Sequence, residues 1–227
     1  MLAYADSRRR ARERSDTSPS RRVRTLSDLV LPRRCAGCRS PGEWLCLACR
    51  DASDAEPLLL ARGLRGRAAG TFAGPLREAV HAFKYGGEHA LATELGSLVA
   101  RLVARDLATG LLLDAIVPVP LHRARLRERG YDQALLLAEH VARSCGLPLI
   151  PALRRIRWSK PQVELDRDRR AENTSGAFVG VAGALRGVRI ALVDDVTTTG
   201  ATLRAAAAAA RACGARSIRA YVVASDV

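Results

Sequence analysis

The sequence predicts an α/β fold in which a parallel sheet is flanked by helices, with a small cysteine-rich module near the N-terminus. A nearly unbroken apolar run at 188–196 suits a strand covered on both faces, and the alanine-rich stretch 201–213 after it is a strong helix former. A second apolar strand at 114–120 precedes an amphipathic helix at 131–145. Two Cys-x-x-Cys pairs precede both of these units.

Length and charge narrow the functional classes. The 227 residues can form one α/β domain of ordinary size with a small appendage. No apolar run approaches membrane-spanning length and the N-terminus lacks the apolar core of a signal peptide, which predicts a cytoplasmic protein without a membrane span. The net charge of +14 comes almost wholly from arginine and favours polyanionic partners, either nucleic acid or a phosphorylated small molecule.

The two Cys-x-x-Cys pairs lie seven residues apart and consist of Cys35 with Cys38 and Cys46 with Cys49. Four thiolates with this spacing can close a tetrahedral structural zinc site. The alternatives are two disulfides or a redox dithiol, which the missing export signal disfavours. We therefore expect a disordered basic tail at 1–24, a zinc ribbon and linker at 25–62, and the α/β domain at 63–227.

The stretch VDDVTTTG at 193–200 is the first candidate binding site. Asp194 and Asp195 can serve one ligand together only where their strand is ending, because neighbouring strand residues point to opposite faces. The residues after them offer hydroxyls, unpaired N–H groups and the positive end of a helix dipole to an anion. They are Val196, Thr197, Thr198, Thr199, Gly200, Ala201 and Thr202. Carboxylates beside a phosphate cradle suit a ribose 5-phosphate; the alternative is a buried strand with a polar turn.

Basic residues elsewhere supply further candidates. Arginines follow the strand at 114–120, and Arg123 and Arg125 are favoured for a pyrophosphate, with Arg127 and Arg129 interpreted as solvated. Lys84 lies just before the helix break at Gly86-Gly87, either near a ligand or in solvent. Residues 153–176 predict a long polar loop with candidate closing contacts, or simply solubilising charge. Those candidates are Arg155, Lys160, Gln162 and Arg170.

The order of these motifs resembles the ComF family. Besides the cysteine pairs and VDDVTTTG, the similarity includes HAFKYGG at 81–87, VPVPL at 117–121 and RGYDQA at 129–134. The VDDVTTTG stretch looks like the motif that binds phosphoribosyl pyrophosphate (PRPP) in type I phosphoribosyltransferases. One departure is Asp132, where the resemblance leads us to expect asparagine. The tail at 1–24 lies outside the resemblance.

The resemblance implies that the chain binds PRPP with Mg²⁺. Asp194 and Asp195 would bind the ribose hydroxyls, the loop that ends at Thr202 would hold the 5-phosphate, and Lys84 and Lys160 would contact PRPP. Arg123, Arg125 and Mg²⁺ would neutralise the departing pyrophosphate. If the chain is catalytic, it is a glycosyltransferase with an unidentified acceptor.

Family members are described as phosphoribosyltransferase-like proteins, some of them required for uptake of single-stranded DNA in natural competence. The alternative function is therefore a non-catalytic factor that handles single-stranded DNA and keeps the phosphoribosyl site for ligand sensing. Arginines of the tail and of the zinc-ribbon side would then bind DNA weakly and without sequence preference.

Overall fold

The computed structural model describes residues 33–52, 56–60, 64–157 and 176–226, with 56–60 described as backbone only. These residues belong to one compact unit that begins at Arg33. The predicted basic tail lies outside the described residues, as do Lys160, Gln162 and Arg170. None of the helices in the described ranges is long and apolar enough to cross a membrane.

The described elements alternate between strands and helices along most of the chain. The strands are β1 Glu56–Leu60, β2 Leu64–Ala68, β3 Ala115–Pro118, β4 Leu153–Arg155, β5 Phe178–Gly180, β6 Arg189–Thr197 and β7 Ser217–Ser225. The helices are α1 Leu47–Asp51, α2 Gly74–Tyr85, α3 Leu91–Ala108, α4 Arg123–Arg129, α5 Gln133–Cys145 and α6 Ala201–Ala212.

The main sheet has five strands in the order β1-β2-β7-β6-β3. The β2–β7, β7–β6 and β6–β3 pairs are parallel, and β1 adds an antiparallel edge strand. A separate antiparallel pair joins β4 to β5. The predicted parallel sheet flanked by helices is confirmed.

Side chains alternate between the two faces of this sheet, as the strand period requires. On β6, Ala191 and Val193 pack with residues of α2, α3 and α5. The intervening Ile190 and Leu192 pack with α6, including Leu203. Because both faces are covered, the apolar run of β6 has no polar side, which explains the unbroken pattern in the sequence.

Three local predictions differ from the structure. Residues 123–129 form helix α4, where the sequence suggested a loop rich in arginine. Strand β1 lies inside the predicted zinc ribbon and linker at 25–62, and β4 begins the predicted polar loop at 153–176. Both strands are too short for local periodicity to reveal them: β1 pairs with the adjacent β2, and β4 depends on β5, which is distant in sequence.

A buried polar network fixes α3 against the sheet. Asp106 on α3 accepts a hydrogen bond from Arg67 Nε on β2 at 2.6 Å and one from the Tyr221 hydroxyl on β7 at 2.9 Å. Both carboxylate oxygens therefore have partners, although Asp106 is buried. Removing either donor would leave a buried acceptor without a partner, which makes this network a structural one.

Candidate functional site

A cavity of about 340 Å³ lies where β3 and β6 end, at the edge of the sheet at which parallel α/β folds bind ligands. Strand β6 contributes Asp194 and Asp195, and α4 contributes Arg125 and Arg129. The remaining wall residues come from α2, the segment after β3, the start of α5, β4 and the start of α6. They are Lys84, Tyr85, Val119, Pro120, Leu121, His122, Asp132, Gln133, Ala134, Arg155, Val196 and Thr202.

Both aspartates of β6 line this cavity although the strand does not end at them, since β6 continues to Thr197. The register passes from the Asp194–Val222 pair to the Val196–Ala224 pair without Asp195. Asp194 Oδ1 accepts the N–H of Asp195 at 2.8 Å, and Asp195 Oδ1 accepts the N–H of Val196. The interrupted ladder explains why two neighbouring side chains can serve one cavity.

The carboxylate pair carries an electrostatic cost that one lysine partly offsets. Lys84 Nζ lies 3.0 Å from Asp195 Oδ2. Burial, and next the charge of Asp195, raise the pKa of Asp194 well above its ordinary range. The structure therefore brings Lys84 to the predicted acidic pair, and it does so with an ion pair that the sequence could not reveal.

The turn from β6 into α6 has the geometry of an anion cradle. Gly200, with φ of 71°, occupies the N-cap position in the left-handed conformation, and no side chain caps the helix. Arg204 fixes the turn by donating to the Thr199 carbonyl at 2.6 Å. Val196 and Thr202 line the cavity, whereas residues 197–201 do not. The first-turn N–H groups of α6 and the positive end of its dipole suit a phosphate beside Thr202.

Two of the four arginines on helix α4 line the cavity. Arg125 and Arg129 are four residues apart and lie on one helix face, and both line the cavity. Arg123 and Arg127 are exposed and do not line it. Arg129 therefore lies at the cavity, where the sequence had favoured Arg123, because residues 123–129 form a helix and not the expected loop; a pyrophosphate contact of Arg123 stays a prediction.

Three buried donors in the cavity wall have no acceptor in the part of the chain that the structure describes. Among the described residues, no hydrogen-bond partner is found for Nε of Arg129, Nε of Arg155 or Nε2 of Gln133. Gln133 is 1% exposed, and its Oε1 accepts from Arg129 at 3.1 Å. Burial lowers the pKa of Arg155. A buried donor without an acceptor costs about 1–3 kcal/mol, so their convergence indicates a ligand rich in acceptor oxygens.

Asp132 takes a role that asparagine could not fill equally. It caps α5 by accepting the N–H of Leu135 at 3.1 Å through Oδ1, while Oδ2 accepts the N–H of Leu121 at 2.8 Å. An asparagine has one acceptor oxygen, so its amide group would face one of these donors. Burial raises the pKa of Asp132. The acid therefore joins the segment after β3 to α5.

The four cysteines of the N-terminal module come together as the spacing predicted. Their sulfur atoms all lie within 4.8 Å of one another, and Cys38 Sγ is 3.6 Å from Cys46 Sγ. A tetrahedral zinc ion with Zn–S distances of about 2.3 Å fits such a cluster. A hydrogen bond with the Ser40 hydroxyl lowers the pKa of Cys38 to about 6, which favours the thiolate that a metal binds.

Tyr85, Arg129, Asp132 and Gln133 were not among the residues assigned to the site from sequence. Three of them belong to the RGYDQA stretch at 129–134, and Tyr85 follows Lys84 directly. The four-residue spacing between Arg125 and Arg129 was the available signal, and it required recognising α4 as a helix. Arg155 does line the cavity as a closing candidate would, whereas Lys160 lies outside the described residues.

Residues 132–226 match the family model described as Phosphoribosyl transferase domain. Competence protein F of Haemophilus influenzae is 36% identical over 113 residues, which are 48% of this chain and 49% of that protein. DNA utilization protein YhgH of Salmonella typhimurium is 35% identical over 133 residues, covering 57% of this chain and 58% of that protein. Competence protein ComFC of Bacillus subtilis is 38% identical over 92 residues, covering 40% of this chain and 36% of that protein.

The chain spans about half the length of the first two of these relatives. The matched family domain begins at Asp132 and includes β6, the turn at 198–200 and α6. The family match and the competence relatives together show a phosphoribosyltransferase-like domain similar to those of ComF family proteins.

Proposed function

We propose that this chain acts in the cytoplasm, binds PRPP or a related ribose 5-phosphate together with Mg²⁺, and transfers the phosphoribosyl group to an acceptor during DNA uptake. One observation carries the proposal: Asp194 and Asp195 face the same cavity as three buried donors for which the described residues supply no acceptor. Hydroxyls of a ribose suit the acids, and phosphate oxygens suit the donors. The names of the competence and DNA utilization relatives support the link to DNA uptake.

Each part of PRPP then has a partner of matching chemistry. Asp194 and Asp195 accept hydrogen bonds from the ribose hydroxyls, and the start of α6 at Thr202 binds the 5-phosphate. Arg125, Arg129 and Arg155 bind the pyrophosphate. In the transfer step, the acceptor's lone pair forms a bond to the anomeric carbon as the bond to pyrophosphate breaks. Pyrophosphate leaves with the electron pair, the acceptor's proton passes to solvent, and the arginines stabilise the developing charge.

The residues of the cavity could hold Mg²⁺ only together with the phosphates of the substrate. Within the described ranges, the one cluster of three or more metal-ligating side chains is that of the four cysteines. Mg²⁺ is commonly held by substrate phosphates with one or two carboxylates, and Asp194 and Asp195 can supply these. When bound, the ion would add positive charge at the pyrophosphate oxygens.

The binding proposal predicts that Asp194→Asn combined with Asp195→Asn weakens PRPP binding more than tenfold. Two charge-assisted hydrogen bonds of about 1.5–3 kcal/mol each would be degraded. Isothermal titration calorimetry with Mg²⁺ measures the change, and Asp114→Asn, remote from the cavity, serves as the matched control. The ribose assignment is wrong if the parent protein does not bind PRPP, or if the double variant binds it equally well.

The raised pKa of Asp194 predicts that Asp194→Asn stabilises the ligand-free protein near neutral pH. Folding favours the protonated carboxyl, so stability falls as pH rises from the ordinary aspartate pKa, roughly 4, to the raised folded-state value. Asparagine removes this loss and can keep the hydrogen bond from the Asp195 N–H. A gain of about 1 kcal/mol would raise the melting temperature by roughly 2–4 °C.

Asp114→Asn supplies a control of opposite sign for this experiment. Hydrogen bonds from Arg189 lower the pKa of Asp114 to about 2, so its charge contributes stability above the ordinary aspartate pKa. Melting temperatures are measured by scanning fluorimetry from about pH 4 to about pH 8. Relative to the parent protein at the same pH, the melting temperature should become higher for Asp194→Asn and lower for Asp114→Asn as the pH rises. If Asp194→Asn had a lower melting temperature than the parent protein at about pH 8, the inference that the ionised Asp194 destabilises the fold would be wrong.

We also propose that the cysteine cluster holds one structural zinc ion. Binding energy at such a site is also folding energy, so chelation should unfold the module and release one zinc per chain. Elemental analysis gives the zinc content, a chromogenic zinc indicator follows zinc release, a thiol reagent counts the accessible cysteines, and circular dichroism follows unfolding. Cys213→Ser provides the control because this cysteine lies outside the cluster. A folded protein without zinc, or four titratable thiols without unfolding, would refute the proposal.

The second candidate function is handling of single-stranded DNA, and the exposed arginines of α4 favour it. Arg123 and Arg127 are exposed on α4 and do not line the cavity. They are candidate DNA contacts in addition to the arginines of the tail and of the zinc-ribbon side that the sequence suggested. Such contacts release counterions and make affinity fall steeply with salt concentration.

Arg123→Gln with Arg127→Gln is expected to reduce the slope of log affinity against log salt by about 1.4, at roughly 0.7 per lost contact. Deleting residues 1–24, which carry eight arginines against three acids, should flatten it further. Fluorescence anisotropy on labelled single strands gives the slopes. The Asp194→Asn, Asp195→Asn double variant should bind DNA normally. A salt-insensitive complex, or one that PRPP abolishes, would contradict two separate sites.

A further inference from the structure

The sharp turn between α4 and α5 brings Gln133 back to Arg129. Gly130 ends α4 in the left-handed conformation, with φ of 79°, and Asp132 caps α5. Gln133 is therefore the first residue of a capped helix, and its side chain is buried. Nη1 of Arg129 donates to Oε1 of Gln133 at 3.1 Å. Because Gln133 lies on a fixed element, it gives the guanidinium of Arg129 a rigid support.

The groups that hold the Arg129 guanidinium are uncharged. Besides the Gln133 amide, the Tyr85 hydroxyl accepts a hydrogen bond from Nη2 at 3.3 Å. The guanidinium carbon lies 5.1 Å from the centroid of the Tyr85 ring. An arginine with contacts on two sides has lost much of its rotamer freedom before any ligand binds, so less entropy is lost on binding.

The other basic side chains near Arg129 have acidic partners. Lys84 Nζ lies 3.0 Å from Asp195 Oδ2, and Arg125 Nε lies 4.0 Å from Glu128 Oε2. Within the described ranges, no carboxylate forms such an ion pair with Arg129. The positive charge of Arg129 is therefore fixed in position at the cavity and is not offset by a direct acidic partner.

Packing does not explain an amide at position 133. An apolar side chain of similar length would fill the buried space without the cost of removing an amide from water. Nε2 of Gln133 has no acceptor among the described residues, so hydrogen bonding within them does not explain the full amide either. A carboxylate would hold an arginine more strongly, but it would also neutralise the charge. An amide holds the arginine and leaves the charge available to a ligand.

We infer that Gln133 is a positioning residue that holds Arg129 for the pyrophosphate group of the ligand without neutralising it. The inference rests on the proposed function and deepens it, because it names the residue that makes the cavity prefer PRPP to ribose 5-phosphate. Gln133 acts through Arg129, and the Tyr85 hydroxyl supports the same guanidinium from the other side. A charge that is fixed in advance stabilises the departing pyrophosphate without reorganisation during the transfer step.

The test measures PRPP, inorganic pyrophosphate and ribose 5-phosphate binding to the full chain by calorimetry with Mg²⁺. Gln133→Met removes the acceptor at similar volume, so Arg129 must be ordered on binding. PRPP and pyrophosphate affinities should fall about fivefold, and ribose 5-phosphate affinity should stay within about twofold. A merely structural role would weaken the binding of all three ligands. In an Arg129→Gln background, Gln133→Met should cause no further loss of PRPP affinity, because the two residues act as one unit.

Gln133→Glu tests the requirement for an uncharged support. It keeps an acceptor for Arg129 but pairs the guanidinium with a carboxylate, so PRPP affinity should fall more than about tenfold. Ala104→Glu makes the same change of charge at an exposed position of α3 outside the cavity wall. This control should leave PRPP affinity within about twofold of the parent value, because exposed charges are screened.

The outcomes separate this inference from the proposed function. If the parent binds PRPP but Gln133→Met keeps its affinity, or weakens all three ligands equally, the positioning role is overturned and the PRPP site stands. If pyrophosphate binding depends on Gln133 while PRPP does not bind, the positioning role stands and the PRPP proposal fails. Binding of neither ligand by the parent overturns both.

Circular dichroism checks that each variant is folded. If Gln133→Met does not fold, Tyr85→Phe tests the same support, because it removes only the hydroxyl of an exposed side chain. PRPP affinity should then fall about twofold to threefold with ribose 5-phosphate affinity unchanged. An unchanged PRPP affinity in Tyr85→Phe would in that case overturn the inference.

Discussion

The ion pair between Lys84 and Asp195 is the contact on which the candidate site depends. Its atoms lie 3.0 Å apart and join the end of α2 to the end of β6, two elements more than a hundred residues apart in sequence. Burial, and next the charge of Asp195, raise the pKa of Asp194, and the charge of Lys84 partly offsets this shift. Two contacts fix the helix turn that carries Lys84. The Phe83 side chain is buried in the core, and the Phe83 carbonyl accepts a hydrogen bond from the Tyr131 hydroxyl. The position of α2 therefore determines the electrostatics of the cavity.

The cysteine module braces the opposite end of α2. A side chain on Gly37 would place its Cβ 2.7 Å from Cβ of Pro75 in the first turn of α2, so only glycine permits this approach. Arg50 on α1, the helix that contains Cys49, forms an ion pair with Glu94 on α3 at 2.6 Å. Cys35 and Cys49 belong to the same core cluster as Phe83. The module therefore packs as part of the domain, and the thiol cluster and the ligand cavity share one helix.

The sequence predicted the elements that local patterns determine, and it missed those that depend on contacts across the fold. Strand β6 and helix α6 follow from an apolar run and an alanine-rich stretch, and the cysteine cluster follows from spacing alone. The choice of Arg129 over Arg123 depends on α4 being helical, and a seven-residue segment crowded with arginine has no apolar stripe to indicate that. The double acceptor role of Asp132 depends on Leu121, whose N–H group arrives from another segment.

The buried carboxylate of Asp106 in the framework has donors, whereas most of the buried side-chain atoms without a partner in the described residues lie at the cavity. Asp106 has donors at both oxygens, and Asp114 has Arg189, which lowers its pKa to about 2. At the cavity, burial instead raises the pKa of Asp194, and donors of Arg129 and Gln133 find no acceptor among the described residues. Of the four buried polar side-chain atoms without a partner among the described residues, three belong to residues that line the cavity, and the fourth is Oε2 of Glu88. Such a concentration of unsatisfied donors is expected where a ligand supplies acceptors, and it supports the candidate site independently of any resemblance to known proteins.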